Sequence, residues 1–174
     1  VDNGNGRTAR ATRAVFSENG GGLEVFEAYN ELYQTGATSD FGSDSLQAFM
    51  GQKTAMTISS SSLISTVAKT VGENFEVGVA PMPLIDPQTD CGIPVGGGTL
   101  WLANRGEPEK ERAAFEFLKY MIQPEPQAEW HMATGYYANN QKPYELDSVK
   151  QFYEENSLFE VAVEQIMNSN TDAV

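Results

Sequence analysis

Three groups of residues in this sequence have types and spacing that could do chemistry. The first is the triple glycine in Gly92-Ile93-Pro94-Val95-Gly96-Gly97-Gly98-Thr99-Leu100-Trp101. A run without side chains lets another molecule approach the backbone closely. Its N–H groups can also converge on an anion or a hydroxyl. The second group is Ser59-Ser60-Ser61-Ser62, which follows an apolar run and precedes a helical pattern. Hydroxyls delivered to a helix N-terminus suit an anion or a hydroxylated ligand. The third is the aromatic set Trp130, Tyr136 and Tyr137. Aromatic faces stack on sugars or alkyl backbones, while hydroxyls and N–H groups fix orientation. Each group has a plainer alternative. The glycines can serve only to turn the chain, one serine can be a helix cap with the others solvated, and Trp130 can be core.

Other chemistries find little support. His131 is the only histidine, and no HExxH or CxxC spacing completes a zinc site around it. A hydrolase using one of Ser59 to Ser62 with His131 is the rival reading. It requires those side chains within roughly 2.6–3.2 Å of each other, and the chain has no Gly-x-Ser-x-Gly elbow. No GxxxxGK[ST] loop is present, and an apolar run rather than a helix follows the triple glycine. The single cysteine, Cys91, leaves no intrachain disulfide, and no neighbouring basic residue lowers its pKa. The carboxylates are scattered over helical faces and read as solvated surface. No cofactor and no metal are expected.

Composition bounds the partners. The formal net charge is −13 over 174 residues. That excludes the clustered Lys and Arg that nucleic acid requires, and it argues equally against an anionic membrane surface. A small anionic ligand remains compatible, because local N–H groups hold it whatever the distant charge. No apolar run approaches the ~20 residues of a membrane span, and no signal peptide is visible. The opening Val1-Asp2-Asn3-Gly4-Asn5-Gly6-Arg7 reads like the middle of a loop, so a piece of a longer protein is expected.

These groups must be positioned by regular elements. Apolar spacing predicts short strands at 14–17, 54–58, 75–80 and 99–103. Helical spacing predicts helices at 23–33, 45–50, 63–71, 108–122, 126–133, 143–153 and 158–167. Leu23, Phe26 and Tyr33 form the stripe of the first, and Pro108 suits the first turn of another. The alternation predicts one α/β domain over residues 1–174, with a central, mostly parallel sheet flanked by helices.

Several of these stretches, in order, resemble the extracellular solute-binding proteins of ABC importers. Phe49-Met50-Gly51-Gln52-Lys53-Thr54-Ala55-Met56-Thr57-Ile58-Ser59-Ser60 is similar to the family's "F–G–AM–SS" signature. Val77-Gly78-Val79-Ala80-Pro81-Met82-Pro83 resembles its "VGVAPLP", and Gly97-Gly98-Thr99-Leu100-Trp101 its "GG–LW". Ala113 to Met121 resembles "AAWEFLKFL". Glu129-Trp130-His131 with Thr134-Gly135-Tyr136, then Tyr144 and Gln151 to Asn156, is most similar to the glycerol-3-phosphate-binding branch. The resemblance implies a type II periplasmic-binding fold, of which this chain is the carboxy-side lobe, with the amino-side lobe missing. It implies a cleft lined by Ser59 or Ser60, Gly97 or Gly98, and Tyr136, with Trp130 a further stacking candidate. The implied partners are a small polar solute and a membrane permease. The solute is glycerol-3-phosphate or a glycerophosphodiester, with a sugar or oligosaccharide as the alternative. No bond is made or broken, and the location is periplasmic or extracellular, with a lipid anchor an open alternative. The chain departs from "TGYLP" in having Tyr137-Ala138-Asn139 after Tyr136.

Overall fold

The computed structural model describes residues 1–18, 20–86 and 92–170. Cys91 lies outside the described residues. The chain divides into two compact units. The first comprises Val1–Thr57 with the described parts of Met82–Ile93 and Ser169–Val174, and the second comprises Ile58–Pro81 with Pro94–Asn168.

The first unit begins with a one-turn element, α1 (Asp2–Asn5), in which Asn3 and Gly4 occupy the left-handed region. The Asp2 carboxylate ties this turn to residue 12, accepting from the Thr12 hydroxyl at 2.7 Å and the Thr12 N–H at 2.9 Å. These bonds hold its pKa below the usual carboxylate range. Helix α2 (Gly21–Gln34) covers the predicted 23–33 stretch. Its apolar stripe is not buried within the unit: Leu23, Phe26 and Tyr33 are 62%, 67% and 69% exposed. Helix α3 (Ser45–Met50) ends at Gly51, as read from the sequence, although neither Ser43 nor Asp44 caps it through a side chain.

The second unit holds the remaining helices. A 3-10 turn at Ser61–Leu63 leads into α4 (Ile64–Val71), which buries Val67 and Val71. Helix α5 (Pro108–Met121) starts on its proline. The Glu111 carboxylate accepts the N–H groups of Arg105 and Gly106 at 2.9 and 3.0 Å, closing the turn before the helix. Helix α6 (Pro124–Thr134) starts two residues earlier than predicted. Pro126 does not break it, because N–H groups in the first turn have no intrahelical partner to lose. The single helix expected over 143–153 is two elements: a 3-10 turn at Lys142–Glu145 and α7 (Asp147–Glu155). Leu146 separates them, with extended dihedrals of φ −70° and ψ 139°. Helix α8 (Ser157–Met167) buries Phe159, Ala162 and Val163. Elements α6, α7, α8 and the Lys142–Glu145 turn pack on one another around Ala128, His131, Pro143 and Val149.

The predicted α/β class is corrected. No strand is present among the described residues, and the regular elements there are all helical. Phe16 and Ser17 lie in a turn closed by Glu18 N–H donating to the Val15 carbonyl at 2.9 Å. The runs at 54–58, 75–80 and 99–103 are irregular. Leu100 and Trp101, read as part of a buried strand, are exposed, Trp101 by 87%. A strand is defined by a neighbour that receives its N–H and C=O groups. Apolar, β-branched composition favours such a neighbour without supplying one, so the central parallel sheet expected from alternation is absent among the described residues.

Candidate functional site

The site is built from the end of α6. Gly135 terminates the helix with φ 74° and ψ 2°, and its N–H donates to the His131 carbonyl at 2.8 Å. A Cβ at this position would stand 2.9 Å from the Ser61 carbonyl oxygen, 3.2 Å from Phe159 Cε1 and 3.4 Å from Ser62 Cα. Both the left-handed backbone and the close approach therefore require glycine. The contact has a consequence for the serines. It seats their backbone directly against the turn that presents Tyr136.

Within the serine run, Ser60 is the N-cap of the 3-10 turn and its Oγ accepts from Ser62 N–H at 3.4 Å. The Ser60 and Ser62 hydroxyls are 2.9 Å apart. Ser59 and Ser60 are exposed. Ser60 thus caps and pairs with Ser62, and Ser59 is the exposed serine beside it. Trp130 and Tyr136 are 51% and 42% exposed, so neither is core.

The turn after α6 is held at successive residues. The Tyr136 N–H donates to Thr134 Oγ1 at 3.2 Å, and the Tyr136 carbonyl lies 2.8 Å from His131 Nδ1. The Tyr137 hydroxyl donates to the Ala162 carbonyl at 3.1 Å. Ala138 N–H donates to the Tyr144 hydroxyl at 2.8 Å, and Asn139 N–H to Gln127 Oε1 at 2.9 Å. These side-chain bonds shape the loop at the very residues that depart from the "TGYLP" pattern.

His131 is 1% exposed and both of its ring nitrogens are engaged. A carbonyl only accepts, so Nδ1 carries the proton towards Tyr136. In the neutral ring Nε2 then accepts from the Tyr153 hydroxyl, at 2.8 Å. The rings of Tyr144, Tyr153 and Phe159 surround the imidazole edge-on, with centroids at 5.2, 5.8 and 6.3 Å. Burial pushes the histidine pKa down, against a smaller upward pull from the Tyr136 carbonyl. Burial, followed by Tyr144 and Glu160, pushes the Tyr153 hydroxyl well up. With both nitrogens occupied, His131 has no lone pair for Ser59 to Ser62, and the hydrolase reading loses its base.

Sequence reasoning named Ser59, Ser60, Gly97, Gly98, Trp130 and Tyr136. The structure brings the backbone of Ser61 and Ser62, next to the predicted Ser59 and Ser60, against Gly135, the residue before Tyr136. It does not bring Gly97 and Gly98 to them: nothing lies within 4 Å of a Cβ built on either, and neither has positive φ. Two open clefts of about 600 and 400 Å³ lie elsewhere in this unit, the first beside Tyr144, Lys150 and Glu160, the second beside Ser65, Lys69 and Asn156. No group of three or more His, Cys, Asp or Glu residues suited to a metal is present among the described residues. No helix there is long and apolar enough to cross a membrane. What sequence reasoning missed is the support of the turn: Gln127, Tyr144 and Tyr153 bond it or its histidine from 6 to 22 positions away, beyond any local motif.

Comparison with known proteins shows the family. The family model described as bacterial extracellular solute-binding protein matches residues 5–171. The sn-glycerol-3-phosphate-binding periplasmic protein of Yersinia pseudotuberculosis is 30% identical over 148 residues, which are 84% of this chain and 34% of that protein. The protein of the same name from Yersinia enterocolitica is 28% identical over the same shares. That from Escherichia coli O1:K1 is 29% identical over 125 residues, 72% of this chain and 28% of the relative. The chain thus spans about a third of the length of the curated relatives it matches. No solved structure matches. With nearly its whole length matched by one family model, the chain belongs to the bacterial extracellular solute-binding protein family.

Proposed function

We propose that this chain is the carboxy-side lobe of a two-lobe receptor, acting outside the cytoplasm, that delivers a small polar solute to the membrane permease of an ABC importer. The solute is sn-glycerol-3-phosphate or a glycerophosphodiester. The observation that carries the reading is the seat of the Ser61 and Ser62 backbone against Gly135, one residue before the half-exposed Tyr136, with Ser59 and Ser60 exposed just ahead of it in the chain. Serine hydroxyls and backbone N–H groups donate to phosphate oxygens. The rings of Tyr136 and Trp130 cover the glycerol carbons. The relatives' names, which specify sn-glycerol-3-phosphate binding in the periplasm, support both ligand and location.

Gly97 and Gly98 enter this proposal through their N–H groups, with open space where a Cβ would stand on each. The missing amino-side lobe supplies the opposite wall, and closure of two lobes is what removes such a ligand from water. Binding makes and breaks no bond, so the receptor is not an enzyme, and it uses neither nucleic acid nor a cofactor. The acidic net charge does not attract a phosphate at long range, so local donors must provide the affinity.

Calorimetric titration of the complete receptor with sn-glycerol-3-phosphate, a glycerophosphodiester and maltose-type sugars tests the reading. Saturable binding of a phosphate ligand, weakened by Ser60→Ala, is the expected result. Binding of sugar alone moves the receptor to the sugar-binding part of the family. Binding of none of them removes both ligand assignments.

A further inference from the structure

We infer that His131 is a positioning residue, which fixes the peptide that presents Tyr136 to the ligand. The inference rests on the proposed ligand role of Tyr136 and adds a group that never touches the solute. Its basis is the enclosure of Tyr136 by bonds on both sides. The N–H of Tyr136 is held by Thr134 Oγ1 and its carbonyl by His131 Nδ1. Together these restrain the two backbone dihedrals of Tyr136 and so the direction of its Cα–Cβ bond. The histidine is restrained in turn. Its Nε2 takes the Tyr153 hydroxyl from α7, and the rings of Tyr144 and Phe159 press on it edge-on. The Tyr153 bond selects the tautomer, because an Nε2 that accepts a proton donor leaves Nδ1 to carry the hydrogen towards Tyr136. Thus α7 reports through one imidazole to the turn after α6. A recognition side chain on a turn held in this way is ordered before ligand arrives, which spares the ordering cost on binding.

Two substitutions separate positioning from packing. In His131→Asn the amide nitrogen takes the place of Nδ1 and keeps the bond to the Tyr136 carbonyl, while the side chain is too short for Tyr153. In His131→Leu both bonds are lost. Calorimetry of the complete receptor with sn-glycerol-3-phosphate is paired with urea midpoints for each variant. Both variants should lose stability. His131→Leu should lose about five- to tenfold in affinity, the worth of one hydrogen bond, and His131→Asn should stay within about twofold. Wild-type affinity in both variants, or an equal loss in both, overturns the positioning role and leaves the ligand reading intact. If the wild type binds no phosphate ligand, the functional reading fails, and a second measurement decides the inference. The Tyr137 amide belongs to the same peptide unit as the Tyr136 carbonyl. Its 15N–1H resonance in the ligand-free protein should move in His131→Leu and hold in His131→Asn. A resonance unmoved by either substitution overturns the inference.

Discussion

Helices α2 and α8 carry similar apolar patterns and meet different surroundings. In the first unit, α2 turns Leu23, Phe26 and Tyr33 to solvent, and only Gly22 and Ala48 are buried among the unit's described residues. In the second, α8 buries Phe159, Ala162 and Val163 in the cluster that α6 and α7 complete. The glycines repeat the contrast. Gly36 and Gly135 have nearly the same left-handed φ, 71° and 74°, but nothing lies within 4 Å of a Cβ on Gly36, whereas one on Gly135 meets the Ser61 carbonyl. Local pattern therefore sets the backbone in both units, and density of packing decides which residues are bound to a single arrangement.

The largest effect that would sharpen this contrast comes from the glycines. Gly135→Ala combines left-handed strain with a clash against backbone, and should cost about 2–5 kcal/mol in urea denaturation. Gly36→Ala carries the strain alone and should cost about 1–2 kcal/mol. Equal costs would show that the approach to Ser61 relaxes freely, and the proposed seat of the serines would lose its basis.

Next in size is the core. Val149 is fully buried, and Val149→Ala removes two methyl groups and leaves a cavity, for about 2 kcal/mol. Leu23→Ala, on an exposed stripe, should stay within about 0.5 kcal/mol. A large loss at Leu23 in the same denaturation series would mean that α2 has a covered face, and the contrast between the units would collapse.

A smaller effect appears with pH. The pKa of His131 is lowered in the folded state, so the unfolded chain binds a proton first as pH falls through the ordinary value near 6.5. Stability supplied by the neutral imidazole is full above that value and falls as pH drops from there towards the folded pKa. Urea midpoints should decline between pH 7 and the acid side of 6, and the decline should shrink in His131→Asn, which has no proton to take up. A wild-type midpoint flat across this window would show that the imidazole is solvated. Tyr153→Phe deprives Nε2 of its donor and should make the decline shallower than in the wild type, because the ring then protonates more readily in the folded state.

Much of the helical layout was legible. Gly21–Gln34, Ser45–Met50, Ile64–Val71 and Pro108–Met121 follow from apolar spacing with a proline or glycine at one end or the other, and Ser157–Met167 from apolar spacing alone, signals that act within a few residues. The break at Leu146 was not legible, because it depends on a 3-10 turn whose Tyr144 hydroxyl is held by Ala138. The half of the candidate site near Gly135 was legible as the Thr134-Gly135-Tyr136 motif. The role of Gly97 and Gly98 gained no contact from the structure.

The sequence by itself determined the family and the positions of most helices, since both rest on ordered local patterns. It also determined that His131 could serve at most one site, being alone. Only the tertiary structure decided that the apolar runs at 54–58, 75–80 and 99–103 have no ladder, because pairing is a property of two segments. Only the tertiary structure decided that His131 joins Tyr136 to Tyr153, and that Ser61 closes on Gly135 from 74 positions away. Those partners meet through packing, and no periodicity along the chain encodes them.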